Sequence, residues 1–138
     1  MILLDTNVVS ELMRAVPDRA VQNWLSQLGD MPLVTSAITV AEISYGLARL
    51  PSGKRRDALE AQFAALVGAD AALPVIGFDE IAAREAGRFR ALREAAGLGA
   101  SPSDMMIAGL AATLGAGVAT RNVADFSALP IQLIDPWA

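Results

Sequence analysis

The sequence contains no histidine and no cysteine, and these two absences exclude much of the chemistry that enzymes use. Without cysteine the chain can form no disulfide and no thiolate metal site. Without histidine it cannot use an imidazole as a catalytic acid or base. The reactive groups that remain are mainly carboxylates, amides, hydroxyls and arginines. The leading expectation is therefore a site in which oxygen ligands surround a hard divalent cation.

Positive charge is scarce as well. The chain has 11 basic and 15 acidic residues and a net charge of −4 at pH 7. A broad nucleic-acid surface is usually basic, so this balance argues weakly against one, although local basic patches are compatible with an acidic metal site. Most of the cations fall in two groups that we interpret as solvated helix faces: Arg49, Lys54, Arg55 and Arg56, and Arg84, Arg88, Arg90 and Arg93.

No hydrophobic run is long enough for a membrane helix. The longest uncharged, largely apolar stretch, Met105 to Thr120, has 16 residues, whereas a membrane span needs about 20. The first residues show neither the basic nor the apolar region of a targeting signal, so we expect a cytoplasmic protein. Apolar residues are abundant, at 54%. In a single domain of residues 1–138 this surplus predicts an interface with a second copy or with a partner.

Short apolar runs alternate with segments of helical periodicity, which predicts an α/β fold. The expected architecture is a three-layer sandwich with a central five-stranded parallel sheet flanked by helices. The predicted strands are Ile2–Leu4, Leu33–Thr35, Leu73–Ile76, Gly117–Thr120 and Ile131–Ile134. The predicted helices lie near Val8–Met13, Asp18–Leu28, Val40–Arg49, Lys54–Gly68, Glu80–Ala96 and Pro102–Leu114. Pro74 cannot donate to a sheet ladder, which indicates an edge position or a strand start there.

Polar residues follow the first and fourth predicted strands. Asp5 lies one residue past the first strand, and Asn122 and Asp125 follow the fourth within five residues. Ligands of an open parallel sheet bind outside the carboxyl ends of its strands, so these residues are expected on one rim. Structural alternatives exist, because Asp5 could cap the first helix and Asn122 could cap a short turn.

Glu42 and Asp104 are predicted in the first turns of two helices. Thr39 and Glu42 fit a capping box, a structural role that still permits Glu42 to face the rim. Asp104 follows Ser101, a predicted N-cap, and Pro102 at the first helical position. Small residues share its helix face, at Ala108, Ala111, Ala112 and Gly115. They would allow the helix to approach the sheet closely and carry Asp104 toward the strand ends.

Four segments of the chain resemble the motifs of PIN-domain ribonucleases, and most closely those of VapC-type toxins from bacterial toxin–antitoxin pairs. They comprise residues 2–7, 38–43, 104–108 and 119–126, and a closing Asp-Pro-Trp at 135–137 extends the likeness. The resemblance implies a five-stranded parallel sheet, a Mg²⁺- or Mn²⁺-dependent endoribonuclease site and a homodimer. It also implies a small antitoxin partner that covers the active-site groove.

By position, Asp5, Glu42 and Asp104 match the first three acids of the family and are the predicted metal ligands. Some members carry Asp where this chain has Asn122, whereas others have the acid three residues later, as Asp125 is here. The fourth oxygen ligand is therefore Asp125 or Asn122, and a second metal stays open.

The remaining polar groups near the rim are predicted to support the reaction. The metal would activate a water and stabilise charge on the RNA phosphate. Thr6, Asn7, Thr120, Arg121 and Asn122 are the candidates for positioning that water or the phosphate. Arg121 is equally compatible with a surface ion pair.

Two other functions stay open. A phosphotransfer domain also uses an Asp after its first strand, but receivers need a lysine after a late strand, and the only lysine, Lys54, is predicted between two helices. Phosphatases of the haloacid-dehalogenase type usually carry an acid where this chain has Asn7. The other alternative is a catalytically silent module whose acidic pocket receives an arginine from a partner.

Overall fold

A computed structural model describes all 138 residues and contains one parallel sheet of five strands. The strands are β1 (Ile2–Leu4), β2 (Leu33–Ser36), β3 (Val75–Ile76), β4 (Gly117–Ala119) and β5 (Leu133–Ile134). The helices are α1 (Thr6–Leu12), α2 (Arg19–Gln27), α3 (Ala37–Ala48), α4 (Lys54–Leu66), α5 (Glu80–Ala95) and α6 (Pro102–Leu114), with a 3₁₀ turn at Val123–Phe126. The predicted fold class is confirmed.

The central strand β1 explains why the chain opens on an unbroken apolar run. It pairs in parallel with β2 on one side and β4 on the other, so its three residues are buried. Alternate side chains enter opposite faces, with Leu3 in one core and Ile2 and Leu4 in the other. A parallel strand covered on both faces needs apolar residues at every position.

Two hydrophobic cores fill the space on either side of the sheet. Helices α5 and α6 supply one, with Phe89 and Ile107 fully buried. Helices α1 and α3 supply the other through residues such as Val9 and Ile43, and residues of α2 and α4 pack against it. The arrangement is the three-layer sandwich expected from the sequence. No helix is both long and apolar enough to span a membrane.

The order of the strands, β3-β2-β1-β4-β5, determines where the site lies. The chain builds outward from β1 to one edge and then returns to build the other half from β4. The carboxyl ends of β1 and β4 therefore flank a topological switch point, which is the preferred ligand position in open α/β sheets. Asp5 directly follows β1, and Thr120 directly follows β4.

The main differences from prediction concern the boundaries of the elements. Strand β3 covers only the second half of Leu73–Ile76, because Leu73 pairs with Val67 in an isolated bridge. Its edge position is confirmed, and the carbonyl of Pro74, just before the strand, accepts a hydrogen bond from the Thr35 backbone. Strand β5 is two residues shorter than predicted, and Thr120 lies beyond β4.

Candidate active site

Asp5 is both the N-cap of α1 and a buried acid at the switch point. Its Oδ1 atom accepts a 2.8 Å hydrogen bond from the Thr6 backbone. Its Oδ2 atom accepts hydrogen bonds from the Thr120 hydroxyl at 2.8 Å and the Asn7 amide at 3.2 Å. Only 4% of the residue is exposed. Because Asp5 is the N-cap, α1 begins at Thr6 and not near Val8 as predicted, and it follows β1 almost directly.

Burial raises the pKa of Asp5 above its ordinary value. Hydrogen bonds from Thr120, Thr6 and Asn7 favour the ionised carboxylate and act in the opposite direction, while the negative charge of Glu42 adds to the increase. Thr6, Asn7 and Thr120 thus direct their polar atoms at the carboxylate, and their predicted role toward water or phosphate remains a prediction.

The capping box predicted for Glu42 is wrong. Helix α3 begins at Ala37, and its N-cap is Ser36, whose hydroxyl accepts a hydrogen bond from the Thr39 backbone at 3.1 Å. Because Ser36 ends β2 and caps the helix at once, Glu42 lies in the second turn and cannot reach the cap. Its Oε1 atom accepts a 2.8 Å hydrogen bond from the hydroxyl of Thr6, the residue that also binds Asp5 through its backbone.

Asp104 occupies the first turn of α6, as predicted, with Ser101 as the N-cap and Pro102 as the first residue. Of the small residues on its face, Ala108 and Ala111 are fully buried in the core that contains Leu3 of the sheet. Ala112 is half-buried and packs against the same core, whereas Gly115 is exposed, so the face leaves the core only at its end. Asp104 itself is half-buried.

Three acids from three separate segments act on a fourth, Asp104. The pKa of Asp104 is raised to about 6, first by burial and then by the negative charges of Asp5, Asp125 and Glu42, in that order. The Arg93 guanidinium opposes this increase. Like charges that disfavour ionisation of one carboxylate must lie close to it. The acids predicted to share a rim therefore do converge on one region.

Asp125 and Asn122 differ in their relation to Asp104. A polar pocket of about 310 Å³ is lined by both Asp104 and Asp125, together with Arg93, Ser101 and the loop before α6. Asn122 does not line it. The Asn122 backbone donates a 3.0 Å hydrogen bond to the Thr120 hydroxyl, and its side chain makes no capping bond to the 3₁₀ turn.

Arg121 lies next to this cluster and forms no ion pair. Its backbone donates a 3.1 Å hydrogen bond to Oδ1 of Asn7, the residue that also binds Asp5. Its guanidinium stacks on the ring of Trp137, with 5.0 Å between the guanidinium carbon and the ring centroid. The cationic group is thus exposed and without an acidic partner, which differs from the surface ion pair considered for it.

Arg93 is a residue of the site that the sequence prediction missed. It was assigned to a solvated helix face, but only 4% of it is exposed. It extends the buried stripe of α5 formed by Ala82, Ala86 and Phe89, at spacings of four, three and four residues. This periodicity was the available signal. The sequence prediction did not use this periodicity, because a charged arginine is rarely expected in an apolar stripe.

The carboxylate oxygens of the site are the kind of ligand that a hard divalent cation prefers. No three acidic side chains, however, lie close enough together to hold such a cation unaided. Mg²⁺ typically uses one or two carboxylates and completes its shell with water and substrate phosphate oxygens. A cluster of carboxylates with one raised to a pKa of about 6 has the charge and the oxygen atoms for that mode of binding.

Comparisons with known proteins show the family and the fold. The family model "PIN domain" matches residues 2–131. The chain is 41% identical to the VapC ribonuclease Y4jK of Sinorhizobium fredii over 137 residues, which covers 99% of this chain and 98% of that protein. It is 35% identical to the toxin FitB of Neisseria gonorrhoeae, with 99% of both proteins covered. The crystal structure of FitAcB from Neisseria gonorrhoeae superposes with a TM-score of 0.85 at 34% identity, with 99% of each chain covered.

Proposed function

The chain belongs to the PIN-domain family, and from that premise we propose that it is a divalent-metal-dependent endoribonuclease that acts as the toxin of a toxin–antitoxin pair. The observation that carries the proposal is the convergence of four acids at the switch point of the sheet, where Asp5, Asp125 and Glu42 act on Asp104 and raise its pKa. Such a cluster is unfavourable on its own, and a divalent cation reverses its effect by attracting every member.

In this proposal Asp5 and Asp104 hold Mg²⁺ or Mn²⁺, Glu42 binds the ion directly or through a water, and Asp125 is the fourth acid. Asp125 is preferred to Asn122 because it shares a pocket with Asp104 and brings a charge. The ion, when bound, makes water a better nucleophile and neutralises charge on the phosphate. Asp5 is already oriented by its three hydrogen-bond donors, so its carboxylate needs little rearrangement to serve as a ligand.

Arg121 is the proposed contact for an RNA phosphate. Its guanidinium is exposed, carries no acidic partner and stacks on Trp137. Stacking on an aromatic ring limits the conformations of the arginine, so less entropy is lost when it binds a phosphate. A phosphotransfer domain lacks comparable support, since the only lysine, Lys54, begins α4 after a turn between helices.

The same proposal includes a homodimer and a small antitoxin in the cytoplasm. Its support is the similarity over nearly the whole chain to the toxin FitB. Expression of the chain with and without the neighbouring small open reading frame tests it. We expect growth arrest only without that reading frame, and no arrest for Asp104→Asn. Arrest by Asp104→Asn at wild-type levels would contradict the proposed role.

Cleavage of RNA by the purified chain tests the chemistry. We expect cutting with Mn²⁺ that stops with a chelator and falls at least about 100-fold in Asp5→Asn and Asp104→Asn, since each removes a charged ligand. Asp70→Asn removes an exposed acid outside the cluster and serves as the control. Cutting without metal, or cutting that neither ligand substitution alters, contradicts the proposal. A wild-type chain that stays inert with every metal but binds an arginine-containing partner indicates the silent module.

A further inference from the structure

Arg93 connects the two segments that carry Asp104 and Asp125. Its Nε atom donates a 2.6 Å hydrogen bond to the carbonyl of Gly99, in the loop that leads into α6. Its Nη1 atom donates to the carbonyls of Ser127 at 2.7 Å and Ala124 at 3.3 Å, on either side of Asp125. One side chain of α5 therefore holds both acid-bearing segments.

This arrangement is unlike that of the other arginines on α5. Arg84 and Arg90 form exposed ion pairs with glutamates one turn away, whereas Arg93 is buried and pairs with no carboxylate. Burial of a cation is strongly unfavourable unless it is well hydrogen-bonded, and here backbone carbonyls supply the compensation. The planar guanidinium is required, because its donors point in several fixed directions at once and a lysine ammonium cannot reproduce that fork.

The remaining nitrogen of the guanidinium, Nη2, makes no contact with the backbone of either segment. Nη2 has no hydrogen-bond partner in the protein, yet the structure contains no buried side-chain nitrogen or oxygen without a partner. Nη2 therefore reaches solvent, and the pocket that Arg93 lines is the one shared by Asp104 and Asp125. Arg93 thus binds both segments and lines the same pocket as the two acids.

We propose that Arg93 is a positioning residue that fixes Asp104 relative to Asp125 and thereby sets the affinity of the site for its divalent cation. The inference rests on the proposed function, since it assumes that the acids bind a metal. The proposal predicts that replacing Arg93 changes the metal affinity in the direction opposite to that expected from its charge alone. A positive charge repels a cation, so removing that charge alone would strengthen metal binding, whereas losing the connection weakens it.

Mn²⁺ binding to the metal-free protein, measured by titration calorimetry, separates the two effects. We expect Arg93→Gln to weaken Mn²⁺ binding about tenfold, the lower end of the loss seen when residues that orient metal ligands are removed. Arg93→Lys keeps the charge but not the fork, and we expect it to weaken binding as well. Arg90→Gln removes an exposed charge three residues earlier on α5 and should leave the affinity at the wild-type value. Cleavage should lose kcat in both Arg93 variants with little change in KM for RNA.

Each outcome bears on a definite claim. Unchanged or tighter Mn²⁺ binding by Arg93→Gln, with circular dichroism showing a folded protein, overturns the positioning role. If Arg93→Gln unfolds, Arg93→Lys decides, and wild-type affinity there overturns it equally. If both unfold, Ser127→Ala removes an exposed hydroxyl 3.3 Å from Nη1 and should weaken binding about twofold, so wild-type affinity overturns the proposal. A wild-type protein that binds no Mn²⁺ contradicts the proposed function itself.

Discussion

At the scale of single residues, Asp5 shows that a structural role and a candidate catalytic role can share one side chain. Oδ1 caps α1, while Oδ2 faces the end of β4 and accepts from Thr120 and Asn7. Burial favours the neutral acid and keeps the pKa of Asp5 raised, while the three hydrogen-bond donors offset part of this effect. The N-cap role of Asp5 was considered as an alternative to a catalytic role. In the structure the N-cap hydrogen bond helps to orient the carboxylate.

Removing the Thr120 hydroxyl should measurably disfavour the ionised form of Asp5. Its hydrogen bond is the largest effect that lowers the Asp5 pKa, so Thr120→Val raises that pKa further. We expect the acidic limb of the pH–rate profile to move to higher pH, so that cleavage at the acidic end of the profile falls relative to wild type. Thr113→Val on α6 removes a hydroxyl that bonds only the carbonyl of Leu110 and is the matched control. An unshifted profile in Thr120→Val would count against this role.

Asp104 should make the metal-free protein less stable as the pH rises. Its folded pKa of about 6 lies above its ordinary value of 3.8, so the folded state binds the proton more tightly than the unfolded state. The stability linked to this proton is present below pH 4 and is lost as the pH rises through 6. Above pH 6, Asp104→Asn in chelator should be more stable than wild type by about 1 kcal/mol, a value reduced for solvent screening and for the lost helix-dipole interaction.

Urea unfolding at pH 4, 5, 6 and 7.5 measures this difference. The advantage of Asp104→Asn should shrink toward pH 4, where the wild-type carboxyl is protonated in the folded state and, with its ordinary pKa of 3.8, partly protonated in the unfolded state. Asp70→Asn removes an acid outside the cluster and should show no such pH dependence. An Asp104→Asn variant that is less stable than wild type at pH 7.5 would mean that the repulsion among the acids is weaker than the structure indicates.

At the scale of elements, the packing of α6 on α5 positions Asp104. A Cβ atom added to Gly109 would lie 2.6 Å from the backbone nitrogen of Ala86 and 2.7 Å from the carbonyl oxygen of Ala82. Both neighbours are backbone atoms of a helix and cannot turn aside. Gly109→Ala must therefore separate the two helices, at a cost of about 2–3 kcal/mol. Because Asp104 lies in the first turn of α6, cleavage should fall as well.

Gly87→Ala provides a control of opposite sign. Gly87 lies in α5, and an added Cβ there meets nothing within 4 Å. Alanine is a better helix former than glycine by about 1 kcal/mol, so Gly87→Ala should stabilise the protein. Urea midpoints of the two variants should therefore move in opposite directions. Equal midpoints would contradict the close contact at Gly109.

Elements whose signals are local could be predicted from the sequence, whereas boundaries set by neighbouring elements could not. The proline and N-cap that begin α6 are adjacent in sequence, and the structure has them as expected. Helix α3 begins three residues before its predicted start because Ser36 both ends β2 and caps the helix, an overlap that periodicity does not reveal. Gly97 ends α5 in the left-handed conformation, as a glycine after a helix predicts.

The residues of the candidate site likewise fall into those that the sequence predicts and those that it does not. Asp5 follows an obvious strand, so topology alone predicted its rim position. Arg93 was missed because its partners are backbone carbonyls, which have no signature in a sequence. The choice between Asn122 and Asp125 depended on the path of the 3₁₀ turn, and only the fold shows that Asp125 enters the pocket of Asp104.

At the scale of the whole molecule, the site lies where both halves of the sheet and both cores meet. Asp5 and Glu42 belong to segments that pack on one face, and Asp104 belongs to the helix layer on the other. Bringing these acids together therefore requires the complete sheet. The repulsion among them opposes folding, so a cation that binds the assembled site must stabilise the entire fold through linkage.

We accordingly expect a bound divalent cation to stabilise the whole protein against unfolding. At pH 7.5, Mn²⁺ at 100 times its dissociation constant should stabilise the folded protein by about 2.7 kcal/mol, which corresponds to a rise in Tm of roughly 8 °C. Chelator should remove the gain. Asp5→Asn and Asp104→Asn should each lose most of it, whereas Asp70→Asn should keep it, because only the first two acids belong to the cluster. At pH 5 the gain should be smaller, since a proton on Asp104 competes with the ion. Equal gains in wild type and Asp104→Asn would show that Mn²⁺ binds elsewhere on the protein.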